Sequence, residues 1–336
     1  MFKSIGIKGI GYQMGSRVLS NKDISELSGI DENIIELTSG LVERRWALEN
    51  ESFSTFAIEA GKKAIEDAGI EPNEIDLLVI GTTSDDYAIP ASGCLIQHEL
   101  GITHVMVINT NEGCAAPIYT LSVAGHIMNS NNEIRHALVI CGDVGSRILK
   151  YEQNIMTGML SDGASAVILG RLKDGYEGFL AEQFDAAGQY FFGSGVFGRG
   201  CRIPQPGEPS SELFVMNTEV TGSILVEVMK WFRESFYKCI EIAGVKKEDV
   251  KLISPHTANI GQIKNQLDAI NEDYSKAYIV TDHIGHCGGG TQFIVFKEAR
   301  KANRIKNGDI VYAFGNASGF QHGGILFRWN DKENFV

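Results

Sequence analysis

The stretch Val105-Met106-Val107-Ile108, with Asn111-Glu112-Gly113-Cys114-Ala115-Ala116 just after it, decides how this chain folds. An apolar run, a turn containing glycine and an apolar segment at residues 118–124 predict a buried strand, a tight turn and the start of a helix. Cys114 lies at the turn. Unpaired N–H groups and the positive end of the helix dipole favour the thiolate, which is the nucleophilic form. Cys114 is therefore a candidate nucleophile, although a buried structural cysteine fits the same pattern.

Composition places the chain among ordinary globular proteins. Of its 336 residues, 43% are hydrophobic and 21% are charged, and the length allows two domains or a duplicated one. The net charge of -12 argues against nucleic acid or an anionic membrane as the main partner. Six scattered cysteines do not resemble a secreted disulfide framework, and no apolar run reaches 18 residues. We therefore expect a cytoplasmic protein that does not enter a membrane.

The first half of the chain alternates predicted strands and helices. The pattern predicts strands at residues 5–11, 77–80, 105–108, 137–140 and 164–169, and helices at 23–28, 32–37, 53–68 and from Pro90 to about Leu100. Gly69 is the expected C-cap of the long helix. Apolar strands separated by helices are typical of an α/β fold with a largely parallel sheet covered on both faces.

The second half repeats the first. An offset of 175 residues sets 64–84 beside 239–259 and carries Cys114 onto Gly289, in another glycine-rich turn before an apolar helix. This match predicts two similar halves, residues 1–172 and 173–336, with the nucleophile in the first. Residues 185–212 are rich in Gly, Pro and Ser, so we interpret them as an insertion or lid loop.

Two histidines follow predicted strands of the second half, in His256-Thr257-Ala258-Asn259 and in Gly285-His286-Cys287. If the halves pack about a pseudo-two-fold axis, these strand ends face the Cys114 turn, because ligand groups gather at the carboxyl ends of parallel strands. A cysteine with two histidines then forms a nucleophile with acid–base partners. Each histidine taken alone is more often structural.

Other glycine and histidine patterns give weaker signals. The run His283-x-x-His286-Cys287 lacks a second ligand pair, so no metal site is predicted. Gly288-Gly289-Gly290-Thr291 matches no phosphate-binding motif. The segment from Gly315 to Gly319 follows a strand and is either an oxyanion-binding turn or an ordinary one.

The order of these motifs closely resembles that of the β-ketoacyl-ACP synthase III family, of the thiolase superfamily, nearly from end to end. The resemblance implies a five-layered αβαβα fold, a homodimer and an acyl thioester on Cys114. It also implies an oxyanion hole made by the N–H of Cys114 and one from the turn that contains Gly315, Ser318 and Gly319. His256 corresponds to the histidine that assists decarboxylation of malonyl-ACP.

The chain departs from this family at its second catalytic position, where His286 stands in place of asparagine. An imidazole donates a hydrogen bond as an amide does, but it also takes up a proton. A Cys-His-His set is similar to that of elongating ketosynthases, which favours decarboxylative condensation in fatty acid or polyketide-type biosynthesis. The open alternatives are acyl transfer to an alcohol, amine or thiol, and an inactive partner subunit of a homologous ketosynthase.

The substrate entrance also differs. Positions at which the family carries a tryptophan and three arginines correspond here to Asn33, Leu37, Asn154 and Gly261. Loss of a stacking surface and three cations weakens binding of a polyanionic ligand such as coenzyme A. The acyl donor is therefore expected on acyl carrier protein or coenzyme A, with the carrier protein favoured, and no other cofactor is expected. The resemblance further assigns substrate contacts to Asn259, Asn217 and Ile89, the last in the acyl pocket of the partner subunit.

Overall fold

The computed structural model describes residues 1–197, 215–216 and 218–336, with side chains described for 1–197 and 224–336. Two main β-sheets organise these residues. None of the helices within them is long and apolar enough to cross a membrane.

The first sheet lies wholly in the N-terminal half. Its strands are β1 (Ile5–Met14), β4 (Ile75–Gly81), β5 (Met106–Thr110), β6 (His136–Val144) and β7 (Asp162–Arg171), while β2 (Arg17–Ser20) and β3 (Glu43–Trp46) form a separate antiparallel pair. The order across the sheet is β1-β7-β6-β4-β5, so β5 is an edge strand. Strands β4, β5 and β6 are mutually parallel, whereas β7 is antiparallel to both β6 and β1.

The second sheet lies in the C-terminal half. It contains β8 (Phe179–Ala186), β11 (Val250–Ser254), β12 (Ile310–Asn316) and β13 (Gln321–Arg328), and two short strands, β9 (Ser194–Gly195) and β10 (Val215–Met216), pair beside it. The order is β11-β12-β13-β8, and among the neighbouring pairs only β11 and β12 are parallel. The expectation of a largely parallel sheet holds for β4, β5 and β6, but β7 and β13 are each antiparallel to both of their neighbours and make both sheets mixed.

Nine α-helices lie within the described residues and separate the sheets into layers. They are α1 (Asn21–Ser28), α2 (Glu32–Ser39), α3 (Phe53–Ala68), α4 (Gly93–Glu99), α5 (Ala116–Ser130), α6 (Thr218–Ala243), α7 (Ile260–Ala269), α8 (Thr281–Ile284) and α9 (Thr291–Lys301). Helix α3 packs on one face of the first sheet, and α6 and α7 pack on the outer face of the second. Helices α5 and α9 fill the core between the two sheets. This is the αβαβα arrangement.

The internal repeat is visible in the structure at the same offset of 175 residues. Helix α3 ends at Ala68 and α6 at Ala243, and each is followed by a left-handed glycine, Gly69 at φ 69° and Gly244 at φ 68°. Strands β4 and β11 begin 175 residues apart, as do α5 and α9. The boundary proposed at residues 172/173 falls between β7, which ends at Arg171, and β8, which begins at Phe179.

The structure confirms some predicted element bounds and corrects others. The helix predicted at 53–68 is confirmed at both ends. The helix expected to begin at Pro90 instead begins at Gly93, because the Asp85 carboxylate accepts from the N–H of Ser92 and holds the preceding segment outside the helix. Of the expected lid loop at 185–212, the described part, to residue 197, contains the end of β8, a 3-10 turn and strand β9.

Candidate active site

Cys114 occupies a single 3-10 turn, Gly113–Ala115, between β5 and α5. Gly113 has φ 56°, and a Cβ there would lie 3.1 Å from the Cβ of Ala317, so glycine suits both the backbone and the space. The turn therefore sits against the segment that follows β12. The Cys114 side chain is only partly exposed.

His286 faces the cysteine directly. Its Nε2 lies 3.3 Å from Cys114 Sγ, and its Nδ1 lies 3.2 Å from the hydroxyl of Thr291. Its backbone N–H donates to Met159 O at 3.0 Å, and its carbonyl accepts from the N–H of Ser161 at 2.8 Å. Because residues 159–161 belong to the N-terminal half, these bonds fix a histidine of one half against the cysteine of the other.

The hydrogen bonds of His286 assign the position of its ring proton. With a neutral thiol donating to Nε2, the proton belongs on Nδ1 and is donated to Thr291 Oγ1; this tautomer is assigned from the hydrogen bonds. A hydroxyl both donates and accepts. Thr291 can therefore also support the other tautomer, in which Nε2 carries the proton toward the substrate.

His256 lies just beyond β11 and completes the group. Its ring packs edge-on against that of His286, with centroids 5.3 Å apart and an interplanar angle of 72°. Its backbone N–H donates to Gln266 Oε1 at 3.1 Å. The sulfur of Cys114 and one ring nitrogen from each histidine all lie within 4.8 Å of one another. The structure thus brings together the three residues that were predicted to be catalytic; their roles stay predictions.

A small cavity opens beside these three groups. It measures about 10 Å³, which is room for about one water molecule. Besides the triad it is lined by Pro255, Thr257, Gly288, Gln292 and Phe314. Gln292 fixes the position of the cavity wall. Its side-chain Nε2 donates to Ser254 O at 3.2 Å and to Phe314 O at 3.0 Å, near the ends of β11 and β12.

The electrostatics of the site favour neutral groups. Burial lowers the pKa of His256 to about 3, with His286 adding to the effect, and burial lowers the pKa of His286 to about 4. Burial of the sulfur, reinforced by the charges of Asp143 and Cys287, raises the pKa of Cys114 to about 12. Loss of solvation at Sγ thus opposes the stabilisation of the thiolate that was expected from the helix start.

Asp143, at the end of β6, was missed by the sequence-based prediction. Its carboxylate accepts from the N–H of Thr83 at 2.7 Å and from the hydroxyls of Thr83, Thr82 and Ser84 at 2.8, 3.2 and 3.3 Å. A Cβ on Gly288 would collide with its other oxygen. Asp143 thus connects the loop after β4 with the glycine turn that follows His286. The sequence feature that could have identified Asp143 is a carboxylate at the end of an apolar strand.

The turn predicted to supply the oxyanion donors lies next to Cys114. The N–H of Ser318 is 3.9 Å from where a Cβ of Gly113 would stand, and a Cβ on Gly315 would be 3.0 Å from Ala115 Cα. Gly319 has φ 88°, which favours glycine. The turn after β12 therefore lies against the Gly113–Ala115 turn, and the role of its N–H groups and that of Cys114 as an oxyanion hole stays a prediction.

The remaining predicted residues lie outside this cluster. Asn259 is the N-cap of α7, where its side chain accepts from the N–H of Gln262 at 2.8 Å. Ile89 is 91% exposed. Asn217 lies outside the described residues. His283 is exposed and pairs with Asp282, so the His283-x-x-His286-Cys287 run does not converge on one point.

Comparison with known proteins agrees with this fold. Residues 108–188 match the family described as 3-oxoacyl-[acyl-carrier-protein] synthase III, and residues 240–329 match its C-terminal part. The chain is 28% identical over 326 residues to β-ketoacyl-[acyl-carrier-protein] synthase III 1 of Bacillus cereus, covering 97% of this chain and 99% of the relative. It is 29% identical over 324 residues to the β-ketoacyl-[acyl-carrier-protein] synthase III of Bacillus pumilus, covering 96% of this chain and 98% of the relative.

A solved structure shows the same architecture. The 3-oxoacyl-[acyl-carrier-protein] synthase III of Aquifex aeolicus superposes with a TM-score of 0.87 at 26% identity, over 97% of this chain and 100% of that one. The fold and these relatives define a thiolase-fold acyltransferase of the ketosynthase type. The chain belongs to the β-ketoacyl-[acyl-carrier-protein] synthase III family of the thiolase superfamily.

Proposed function

We propose that the protein forms an acyl thioester on Cys114 and condenses it, with loss of CO₂, with a malonyl thioester. The single observation that carries this proposal is the 3.3 Å approach of His286 Nε2 to Cys114 Sγ, beside a second neutral histidine. The names of the relatives, which are β-ketoacyl-[acyl-carrier-protein] synthases III, support the same reaction class.

Acylation begins from a neutral thiol and a neutral imidazole. Because the pKa of Cys114 is about 12 and that of His286 about 4, a stable thiolate–imidazolium pair is strongly disfavoured. The proton therefore leaves Sγ for Nε2 only as Sγ attacks the acyl carbonyl. The carbon–sulfur bond of the donor then breaks, and His286 passes the proton to the departing thiol.

Condensation uses the same two histidines as hydrogen-bond donors. The bond between the malonyl carboxylate and its methylene carbon breaks, CO₂ leaves, and the electron pair becomes an enolate on the malonyl thioester. Neutral N–H groups of His256 and His286 stabilise the enolate oxygen in a site with little water. The enolate carbon attacks the acyl carbonyl on Cys114, the bond from that carbon to Sγ breaks, and a β-ketoacyl thioester forms. Sγ takes up one proton from solvent, relayed by His286, which restores the neutral thiol. The N–H groups of Cys114 and of the turn at Ser318 would bind the oxyanion of this second step.

We propose a carrier-bound acyl donor rather than free acyl-coenzyme A. Asn33 and Leu37 lie on the exposed side of α2, and Leu37 is 87% exposed. Gly261 is likewise exposed at the start of α7. These three positions offer no cation for the phosphates of a nucleotide. No further cofactor enters the proposed reaction.

We propose that two chains pair through the edge strand β5. An edge strand presents unpaired N–H and C=O groups, and Met106 on β5 is 54% exposed. Antiparallel pairing of two copies about a two-fold axis would satisfy these groups and cover the apolar side chain. Ile89, exposed in the single chain, then becomes available to the acyl pocket of the partner. A cytoplasmic location stays an expectation drawn from composition.

The acyl-enzyme is the step to test first. Intact-mass spectrometry after incubation with acyl-carrier protein or acyl-coenzyme A should show one acyl adduct on the wild-type protein and none on Cys114→Ala. Cys94→Ala is the matched control, because Cys94 is an exposed thiol on α4. An adduct that persists in Cys114→Ala, or no adduct with either donor, contradicts the proposal.

A further inference from the structure

We propose that Cys114, His256 and His286 also form a binding site for a soft divalent cation such as Zn²⁺, which competes with the acyl donor. This inference goes beyond the proposed condensation, because it concerns the ligand-free site and needs no acyl group. One thiolate and two imidazoles form a donor set that Zn²⁺ prefers, with a fourth position left for water.

The spacing of the donor atoms is close to that of a tetrahedral site. With Zn–S near 2.3 Å and Zn–N near 2.0–2.1 Å, the sulfur and a nitrogen bound to one ion lie ~3.5 Å apart. Cys114 Sγ and His286 Nε2 are 3.3 Å apart, and all three donor atoms lie within 4.8 Å of one another. Because the Cys114–His286 pair already has this spacing, any remaining adjustment falls on His256, whose ring nitrogen lies within 4.8 Å of both other donor atoms.

The surroundings of the triad also suit a cation. Thr291 Oγ1 lies 3.2 Å from His286 Nδ1, which is the outer hydrogen bond that orients a metal-binding imidazole and leaves Nε2 for the ion. The cavity at the triad, of about 10 Å³, offers room for about one water molecule at the fourth position of an ion held between the three donor atoms. The carboxyl group of Asp143 is buried behind the cavity wall at Gly288, and the donors that reach it from Thr82, Thr83 and Ser84 are all neutral.

Binding of the cation releases one proton. The Cys114 thiol loses its proton to solvent as the sulfur–metal bond forms, and each histidine coordinates through a nitrogen lone pair. While the ion is bound, it occupies the space beside Sγ that a donor carbonyl must enter to be attacked. Acylation and cation binding therefore exclude each other.

The test uses Co²⁺ as a spectroscopic probe on the metal-free, unacylated protein. The wild type should develop a thiolate-to-cobalt charge-transfer absorption that one equivalent of Zn²⁺ displaces. Cys114→Ala and Cys114→Ser should lose this absorption, and His286→Asn should bind at least tenfold more weakly. Thr291→Val should weaken binding by about 10- to 100-fold through the lost outer hydrogen bond. Cys94→Ser, which removes an exposed thiol, should bind as the wild type does.

Two results would overturn the cation site: no charge-transfer absorption at millimolar Co²⁺, or an absorption that persists in both Cys114 variants while circular dichroism shows them folded. The outcome does not depend on the proposed reaction, because no acyl donor is present. A parallel acylation assay should show that Zn²⁺ prevents adduct formation and that a chelator restores it. If acylation proceeds at the same rate with Zn²⁺ bound, the claimed competition is wrong.

Discussion

His286 reaches the sulfur of Cys114 from the opposite half of the duplicated fold, with 3.3 Å between Nε2 and Sγ. The histidine is held at its backbone by Met159 and Ser161 and at its ring by Thr291. The cysteine is held by a glycine turn at the start of α5. The reacting pair thus depends on the packing of the two halves, and substitutions at either side of this contact test its role.

Substitution of His286 separates hydrogen-bond donation from proton transfer. His286→Asn keeps a donor at the position and should retain measurable condensation, whereas His286→Ala should lose about 10²- to 10⁴-fold in rate. Single-turnover rates of acylation and of condensation should be measured separately for both variants. If the His286→Asn variant is as inactive in condensation as the His286→Ala variant, His286 acts by proton transfer in that step. Its proposed role as a hydrogen-bond donor to the enolate is then wrong.

Thr291 is a positioning residue, and its effect should follow the hydroxyl group. Thr291→Val, which keeps the shape of the side chain, should lower the acylation rate about tenfold, since the proton on Nδ1 loses its partner. Thr291→Ser should recover most of that loss. Equal rates for Val and Ser would show that the hydroxyl contributes nothing to catalysis.

The histidines predict a pH dependence of stability with a defined sign. The folded protein holds His286 at a pKa of about 4, below the unfolded value of 6.5, so the unfolded chain binds more protons between these values. The contribution of His286 to the free energy of unfolding is complete above pH 6.5 and is lost as the pH falls toward 4. Between pH 7 and pH 5 the loss is about 2 kcal/mol for His286 alone.

Urea unfolding at pH 7 and pH 5 measures this loss. The difference in unfolding free energy between the two pH values should be smaller in His286→Asn by roughly the same 2 kcal/mol. An identical pH dependence in wild type and variant would mean that His286 titrates normally in the folded protein. The acylation rate should show no inflection near pH 6–7, since neither histidine titrates there.

Gly288 tests the close packing behind the site. Gly288→Ala places a Cβ against Asp143 Oδ2 at φ 56°, whereas Gly308→Ala meets a similar backbone constraint, φ 87°, with no atom within 4 Å of its Cβ. Gly308→Ala should cost about 1–2 kcal/mol of stability from the backbone alone. Gly288→Ala should cost at least a further ~2 kcal/mol and abolish acylation. Equal denaturant midpoints for the two variants would show that the Gly288 turn is not tightly packed.

Much of the fold follows from local sequence patterns. Helix α3 was predicted at both ends because its apolar spacing and Gly69 agree, and the 175-residue offset predicted the second half from the first. The mixed polarity of the sheets was not predictable in the same way. Strand direction depends on where a connection returns the chain, and apolar runs such as β7 carry no sign of their direction.

The site was predicted in its members but not in its electrostatics. Cys114 and His256 were found from their places after strands. His286 was also expected after a strand, but the structure places it after the short helix α8, and it still groups all three residues. The raised pKa of the Cys114 thiol was missed, because it depends on how completely the surrounding residues bury Sγ in three dimensions and on the approach of Asp143. The role of Asp143 was missed for the same reason: nothing beside it in the sequence indicates that its hydrogen-bond donors come from residues 82–84.

The central claim is that the acyl group on Cys114 undergoes decarboxylative condensation. The most direct measurement is a single turnover of purified acyl-enzyme with malonyl-carrier protein labelled in its free carboxylate. The account predicts one equivalent of labelled CO₂ and one of β-ketoacyl-carrier protein per acyl group consumed, and neither product from Cys114→Ala. Loss of the acyl group to an alcohol, amine or thiol acceptor with no release of labelled CO₂ would contradict it.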